Sequence, residues 1–458
     1  MGTLHKSDCL IALRAMPDNS VDSNVTDPPY ELTSGNSSSS GFMGKTWDAT
    51  GIAFRVELWA ECLRVLKPGG HLLAFGGTRT YHRMAVAIED AGFEVRDSIH
   101  WTYGSGYPKS LNISSAIDRL SGVEPKPDVA RAPLKKTMSP GQMYLPGWDQ
   151  EVEDVQQSLA PVNTFPAINL EPSTEDATWS DWGTALKPSH EPIIVARKPP
   201  ISTVAERVLE NGTGALNIGG CRVVVGGRWP ANTILTHSAG CRLIGAKRVM
   251  ASSSPAVRHS SARQVASRGG RFNGMGNRSP ANYSSEDGTE VVSDWSCTPD
   301  CPVLGMDLQS GVGASRFFNQ TLWDDEADSP AFLYCAKASR SERDAGLGHL
   351  HDQDGGIKNS SGRGFSENDP YKTLVVKNNH PTVKPVSLLR HLVRLVTPPG
   401  GIVMDPFLGS GTTAVAAILE GFDWVGCEIT EDYWQIIDGR VAWANGVVLH
   451  RQPSLFDL

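Results

Sequence analysis

Short apolar runs alternate with longer amphipathic stretches over residues 1–120. "DSNVTDPPY", "HLLAFGG" and "RDSIHWTYGSGYP" read as strands, while "AFRVELWAECLRVLKPGG" and "TYHRMAVAIEDAGFEV" read as helices ending in glycine. Strands interleaved with helices predict an α/β domain with a parallel, doubly wound sheet, and they set Asp27 at the carboxyl end of its strand. From about 121 to 183 the pattern fails, and Pro, Ser and acidic residues mark a long loop or insertion. A strand returns at "EPIIVARKP" and a helix at "TVAERVLENG", after which Gly, Ser, Arg and Asn dominate from about 211 to 330. The sheet pattern resumes in "KPVSLLRHLVRLVTPPGGIVMDPFLGSGTTAVAAILEGFDWVGCEIT" as helix, strand, glycine turn, helix and strand, which is one βαβ unit. The α/β domain is thus expected in two pieces, 1–204 and 331–447, around a module at 205–330, with a tail at 448–458.

A chain of 458 residues exceeds one ordinary core, in keeping with that division. Its net charge of −8 carries no overall basic signature, so a polyanionic partner would need a segregated patch of Lys and Arg. No stretch offers about 18 uninterrupted apolar residues, and the first residues lack a secretory pattern, so a cytoplasmic protein without membrane segments is expected. The eight cysteines, scattered over such a chain, suit reduced thiols or metal ligands better than a disulfide framework.

"GIVMDPFLGSGTTAVAAILEG" places Asp405 at a strand end, Gly409, Ser410 and Gly411 in the turn, and Thr412 at the head of a helix. Glycines let backbone approach a ligand closely, and free N–H groups at a helix start favour negative charge. Glu428 ends the next strand roughly 20 residues on, where an acid takes ribose hydroxyls in nucleotide-binding folds. A nucleotide-like ligand follows. The turn is not G-x-x-x-x-G-K-[ST], which disfavours a triphosphate.

In "NVTDPPYELTSG" an acid, two prolines and an aromatic ring follow a strand. An exocyclic amine on a nucleobase is a poor nucleophile because its lone pair is delocalised into the ring. Two acceptors on its hydrogens would localise that pair, and Asp27 with the carbonyl of Pro28 offers two. Pro28 and Pro29 fix φ and hold that carbonyl in place, while Tyr30 offers a face for a base taken out of the duplex.

Asp-Pro-Pro-Tyr together with "DPFLGSGTT" resembles the amino-methyltransferases of DNA, which use S-adenosylmethionine (SAM). The catalytic motif preceding the cofactor motif resembles their β-type, circularly permuted order, and the likeness extends to "KPSHEPIIVARKP" and "FLYCAKASRSERDAGL". The resemblance implies a Rossmann-like SAM-methyltransferase sheet with an inserted target-recognition module. It implies that Asp405, Phe407, Gly409, Ser410, Gly411 and Thr412 line the methionine end of SAM and that Glu428 takes the ribose. It further implies that Asp8 contacts the adenine, and that "NHPTVKP", with His380, Thr382 and Lys384, closes over the cofactor. The chain has no Pro-Cys dipeptide, so the covalent chemistry of cytosine C5 methylation is excluded. An acid at the first motif position resembles the adenine-N6 enzymes; cytosine N4 stays open, as does a DNA-binding protein that has kept the fold and lost turnover. Trp101, Tyr103 and Lys109 read either as holders of the flipped base or as an aromatic cluster packing a sheet edge.

Residues 242–285 hold Arg242, Lys247, Arg248, Arg258, Arg263, Arg268, Arg271 and Arg278 and no Asp or Glu. This is the segregated basic patch that the bulk charge hides, and it suits double-stranded DNA, with Asn, Gln and Ser among the arginines to read base edges. In the same module, His237-x3-Cys241 and Cys297-x3-Cys301 are candidate ligands of a structural zinc ion, the alternative being two unrelated buried pairs. The tail "RQPSLFDL", from Gln452 to Phe456, resembles the short peptides by which bacterial replication and repair proteins dock on the sliding clamp. The β-type resemblance also implies a homodimer.

Overall fold

The computed structural model describes residues 2–32, 48, 50–103, 110–111, 113–120, 179, 182–186, 188–222, 229–237, 241–250, 289–299, 301–310, 314–321, 338, 340–351, 353–354 and 375–451. The strands are β1 (Gly2–His5), β2 (Val21–Thr26), β3 (Leu66–Phe75), β4 (Glu94–Thr102), β5 (His190–Arg197), β6 (Thr233–Thr236), β7 (Arg242–Met250), β8 (Thr289–Ser296), β9 (Asn319–Thr321), β10 (Gln353–Asp354), β11 (Val375–Val376), β12 (Ile402–Asp405) and β13 (Asp423–Cys427). The helices are α1 (Cys9–Ala15), α2 (Val56–Val65), α3 (Tyr81–Asp90), α4 (Ile113–Leu120), α5 (Val204–Asn211), α6 (Pro302–Ser310), α7 (Arg340–Asp344), α8 (Val386–Val396), α9 (Thr412–Leu419) and α10 (Glu431–Arg451). No helix among the described residues is long and apolar enough to cross a membrane.

Among the described residues, nine strands form one sheet in the order β1-β13-β12-β2-β3-β5-β4-β6-β9. Its middle is buried on both faces, as all six residues of β2 show. Side chains of neighbouring positions point to opposite faces, so the core divides by parity. Leu73, Phe75, Ile193, Val195 and Val403 pack with Leu388, Leu389 and Leu392 of α8. Leu72, Ala74, Ile194, Ala196 and Met404 pack with Leu58, Trp59 and Cys62 of α2 and with Met84 and Ile88 of α3. The doubly wound α/β architecture is as expected. The permuted order is also visible: β12 and β13, late in the chain, lie between β1 and β2.

Two details correct the sequence reading. The sheet is mixed rather than parallel, because β5 runs antiparallel to both β3 and β4. Residues 103–189 separate β4 from β5, and antiparallel neighbours need no crossover connection between them. Second, "LKPGG" is not the end of α2 but the entry of β3. Pro68 cannot continue a helix, and Gly69 takes φ +86°.

The chain divides into two compact units, residues 1–105 with 190–458, and residues 106–189. In the smaller unit α4 is described, and Trp179 meets Trp182 edge-on with ring centroids 5.1 Å apart. Most of the insertion expected at 121–183 lies outside the described residues. Of residues 205–330, β6 and β9 extend the main sheet beyond β4, and β7 pairs with β8 as a separate antiparallel ribbon.

Candidate active site

Strands β12 and β2 are parallel neighbours, with Val403 opposite Ser23 and Met404 opposite Asn24. Asp405 and Asp27 therefore emerge side by side at the carboxyl edge of the sheet. Asp405 is buried and accepts hydrogen bonds from Thr26 Oγ1 and Thr413 Oγ1, both at 2.6 Å, and from the Phe407 N–H at 2.9 Å. Burial pushes its carboxyl up to about 6, against the pull of those three donors. The glycine turn follows. Gly409 and Gly411 take φ of +55° and +81°, where a side chain would be strained, and a Cβ on Gly409 would stand 2.9 Å from His380 Nε2. Glu428, at the end of β13, accepts the Gly409 N–H at 2.8 Å and the Thr430 N–H at 2.7 Å, and burial raises its pKa. The turn is braced from behind by Arg440 of α10, which is 1% exposed and donates to Ser410 O, Ser410 Oγ and Thr412 Oγ1 at 2.8, 3.0 and 2.9 Å.

Beside this turn lies a second polar cluster. Lys384 Nζ sits 2.5 Å from Asp27 Oδ2 and 3.5 Å from Glu191, and 5.1 Å from the ring centres of both Tyr30 and Phe75. Tyr30 donates its hydroxyl to Glu191 Oε2 at 2.6 Å, and Tyr103 donates to Glu191 Oε1 at 3.3 Å. Thr80 ties down the Tyr30 carbonyl at 2.7 Å. The other oxygen of Asp27, Oδ1, is shielded from solvent and has no hydrogen-bond partner among the described residues. Burial raises the Asp27 pKa, and Lys384 offsets part of that rise. Burial would lower Lys384, but Asp27 and Glu191 outweigh it, so the ammonium is held above the ordinary lysine range. The pair is thus a buried ion pair whose carboxylate keeps one oxygen for a hydrogen donor.

The candidate residues of the sequence fall into place unevenly. Asp27, Pro28, Pro29 and Tyr30 follow β2, and the Asp405–Thr412 turn and Glu428 close around the start of α9. His380 and Thr382 lie in a segment held by Arg343, which donates to His380 O at 2.5 Å and Asn378 O at 3.3 Å. Asp8 caps α1, accepting the N–H groups of Leu10 and Ile11 at 2.9 and 3.3 Å. Trp101 and Tyr103 are buried in the core with ring centroids 4.9 Å apart, the sheet-packing role. Arg248, in β7, donates to Thr289 at 3.1 Å, whereas Arg258, Arg263, Arg268, Arg271 and Arg278 lie outside the described residues, as do Lys109 and the tail from Gln452 onward. His237, Cys241, Cys297 and Cys301 come together, their ligand atoms all within 4.8 Å of one another.

Glu191 and Arg440 are the functional-site residues that sequence reasoning missed. Both carried a signal. Glu191 stands before a proline at the mouth of a strand, as Asp27 does at the close of one. Arg440 falls on the buried stripe of α10 with Tyr433, Ile436, Ile437 and Ala444, where a charged residue needs a partner.

The family model of the N6/N4 methyltransferases, described as DNA methylase, matches residues 21–438. The chain is similar to the type II methyltransferase M.ScaI of Streptomyces caespitosus, 39% identical over 70 residues that make up 15% of this chain and 23% of that one. It is likewise similar to the DNA adenine methyltransferase YhdJ of Escherichia coli K12, 47% identical over 55 residues, 12% of this chain and 19% of that one. The matched segments thus span about a fifth of these relatives. Among solved structures, the PvuII DNA methyltransferase (cytosine-N4-specific) aligns with a TM-score of 0.37 at 12% identity, over 96% of this chain and 86% of that one, a likeness from which nothing further follows. On the extent of the family match, this chain belongs to the N6/N4 DNA methylases.

Proposed function

We propose that the protein transfers a methyl group from SAM to the exocyclic N6 amine of an adenine flipped out of double-stranded DNA at a short specific sequence. The observation that carries this reading is the Oδ1 of Asp27, shielded from solvent and without a geometric hydrogen-bond partner among the described residues, beside the Asp405 to Glu428 turn. The residues present fit SAM: two glycines in left-handed conformation shape the turn after β12 at the start of α9, and Glu428 retains lone pairs for a ribose diol. Phe407, Gly409, Ser410, Gly411 and Thr412 would hold its methionine end, with Asp405 anchoring the turn and His380 and Thr382 flanking it. When bound, SAM supplies an electrophilic methyl group.

The chain's own residues do the rest. Asp27 Oδ1 and the Pro28 carbonyl accept the two amine hydrogens, which localises the nitrogen lone pair, and the interaction strengthens as positive charge grows there. Lys384 holds Asp27 Oδ2, so the carboxylate cannot rotate its free oxygen away. Tyr30, anchored through Glu191, offers its face to the base, and the raised pKa of Asp27 suits it to take the proton that the methylated amine releases. The acid at position 27 and the likeness to the DNA adenine methyltransferase YhdJ support adenine N6 over cytosine N4. Docking of Gln452–Phe456 on a sliding clamp and pairing of two copies belong to the same reading.

The test is nucleoside mass spectrometry of methyl-free DNA incubated with the protein and SAM, beside an Asp27→Ala control. N6-methyldeoxyadenosine that vanishes in the control is the expected result. N4-methyldeoxycytidine would reassign the base, and no methylated nucleoside on any DNA would overturn the reading.

A further inference from the structure

Four metal-type ligands meet at the foot of the β7–β8 ribbon. His237 follows β6 directly, Cys241 immediately precedes β7, Cys297 immediately follows β8, and Cys301 immediately precedes α6. The two pairs are some sixty positions apart in sequence, yet His237 Nδ1 lies 3.2 Å from Cys297 Sγ, 60 residues away, and 3.4 Å from Cys301 Sγ. Trp295 stacks on the His237 ring at a centroid distance of 3.9 Å and an angle of 21°, fixing its orientation. The Thr298 N–H donates to Cys241 Sγ at 3.4 Å, the kind of bond that steadies a thiolate ligand. His237, Cys241 and Cys301 are buried, and no disulfide joins the described cysteines. Apolar packing around them is slight: Val303 is buried, with Leu235 and Leu304 partly so.

We infer that these residues bind one Zn²⁺ in a closed tetrahedral Cys3His site that fastens the ribbon to the main sheet. Three thiolates and a neutral imidazole are the donor set zinc takes in structural sites, and they are too soft for calcium or magnesium. Four protein ligands leave no open position, so the ion holds structure and does no chemistry. Its placement says what it holds. Through His237 it grips the end of β6, which is hydrogen-bonded into the sheet beside β4, and through Cys241 and Cys297 it grips both strands of the ribbon at one level. The basic segment 251–288 departs from the other end of that ribbon. The ion therefore fixes the end of the ribbon opposite to the one that residues 251–288 join.

Elemental analysis of untagged protein from zinc-supplemented cells tests this directly. About one zinc per chain is expected, and less than about a tenth of that in the Cys297→Ser, Cys301→Ser double variant. Because that variant can misfold, the wild-type protein is also stripped with a mercurial and chelator. Amide exchange in 242–250 and 289–296 should then quicken by roughly tenfold or more while β2 and β3 keep their protection, and Zn²⁺ alone should restore it. Absence of zinc from wild-type protein, even after reduction and incubation with Zn²⁺, overturns the site, as does full retention by the double variant. Unchanged exchange in the ribbon after metal release overturns the clamp.

Discussion

The carboxyl edge of the main sheet and the foot of the β7–β8 ribbon both hold polar side chains in fixed geometry, by opposite means. At the sheet edge, Asp27 and Asp405 stand on strands whose neighbours Val25, Leu72, Leu73, Val403 and Met404 are fully buried, so aliphatic packing fixes the backbone and the backbone fixes the acids. At the ribbon, most of β7 is exposed, and the local core is little more than Cys241, Cys301 and Val303. There the chemistry-bearing side chains must do the holding. Where burial supplies rigidity, polar groups are left available for a ligand; where it does not, they are consumed in keeping the chain together.

The strongest way to test the sheet edge is to remove the group it presents. Asp27→Ala should lower the single-turnover methyl-transfer rate by roughly a thousandfold while SAM affinity by calorimetry changes little, because the deleted oxygen acts as charge develops on the amine. Core truncation should separate the two regions. Leu73→Ala removes a fully buried side chain from β3 and should cost about 3 kcal/mol in the main denaturant transition, whereas Cys301→Ser should leave that transition in place and loosen the ribbon alone.

The acids of the sheet edge also carry a pH signature. The Asp405 carboxyl titrates near 6 when folded against an ordinary value of 3.8, so between these the folded state binds the extra proton and stability falls as pH rises. The full loss, about 3 kcal/mol at most, is reached above pH 6. Asp405→Asn, whose amide can still accept from Thr26 and Phe407 and donate to Thr413, should flatten that part of the profile in melts at successive pH values. Smallest is Glu428→Gln, which keeps the shape and removes the charge. It should weaken SAM by about tenfold in calorimetry and leave kcat at saturating SAM nearly unchanged, because the charge is lost and the amide NH2 must face the Gly409 or the Thr430 N–H that the carboxylate accepted.

How much of this was legible in sequence follows from distance along the chain. The strand, glycine turn and helix around Asp405 are written in consecutive residues, and Glu428 lies one βαβ unit on, so local pattern sufficed. The ligand pairs His237 with Cys241 and Cys297 with Cys301 were likewise local, although only the pairing of β7 with β8 brings them together. Lys384 was read as part of a segment closing over the cofactor, and its ammonium lies on Asp27, 357 residues away, a partner that no periodicity encodes. The direction of β5 and the partners of Glu191 and Arg440, as distinct from the local signals those two residues carry, were hidden for the same reason. Each depends on which strand or helix lies beside which, and hydrophobic pattern fixes the face of an element, not its neighbour.

The insertion of β12 and β13 between β1 and β2 has a consequence for how the protein is made. Asp22 on β2 bonds the Ile402 N–H across 380 residues. A ribosome adding about 5–20 residues per second therefore leaves that flank of β2 without its neighbour for roughly 20–80 s. For that interval the nascent chain shows an unpaired strand edge, a template for wrong pairing with other chains. Pairing of that flank of the main sheet waits until β12 has been made, and the exposed edge of β2 must be sheltered until then.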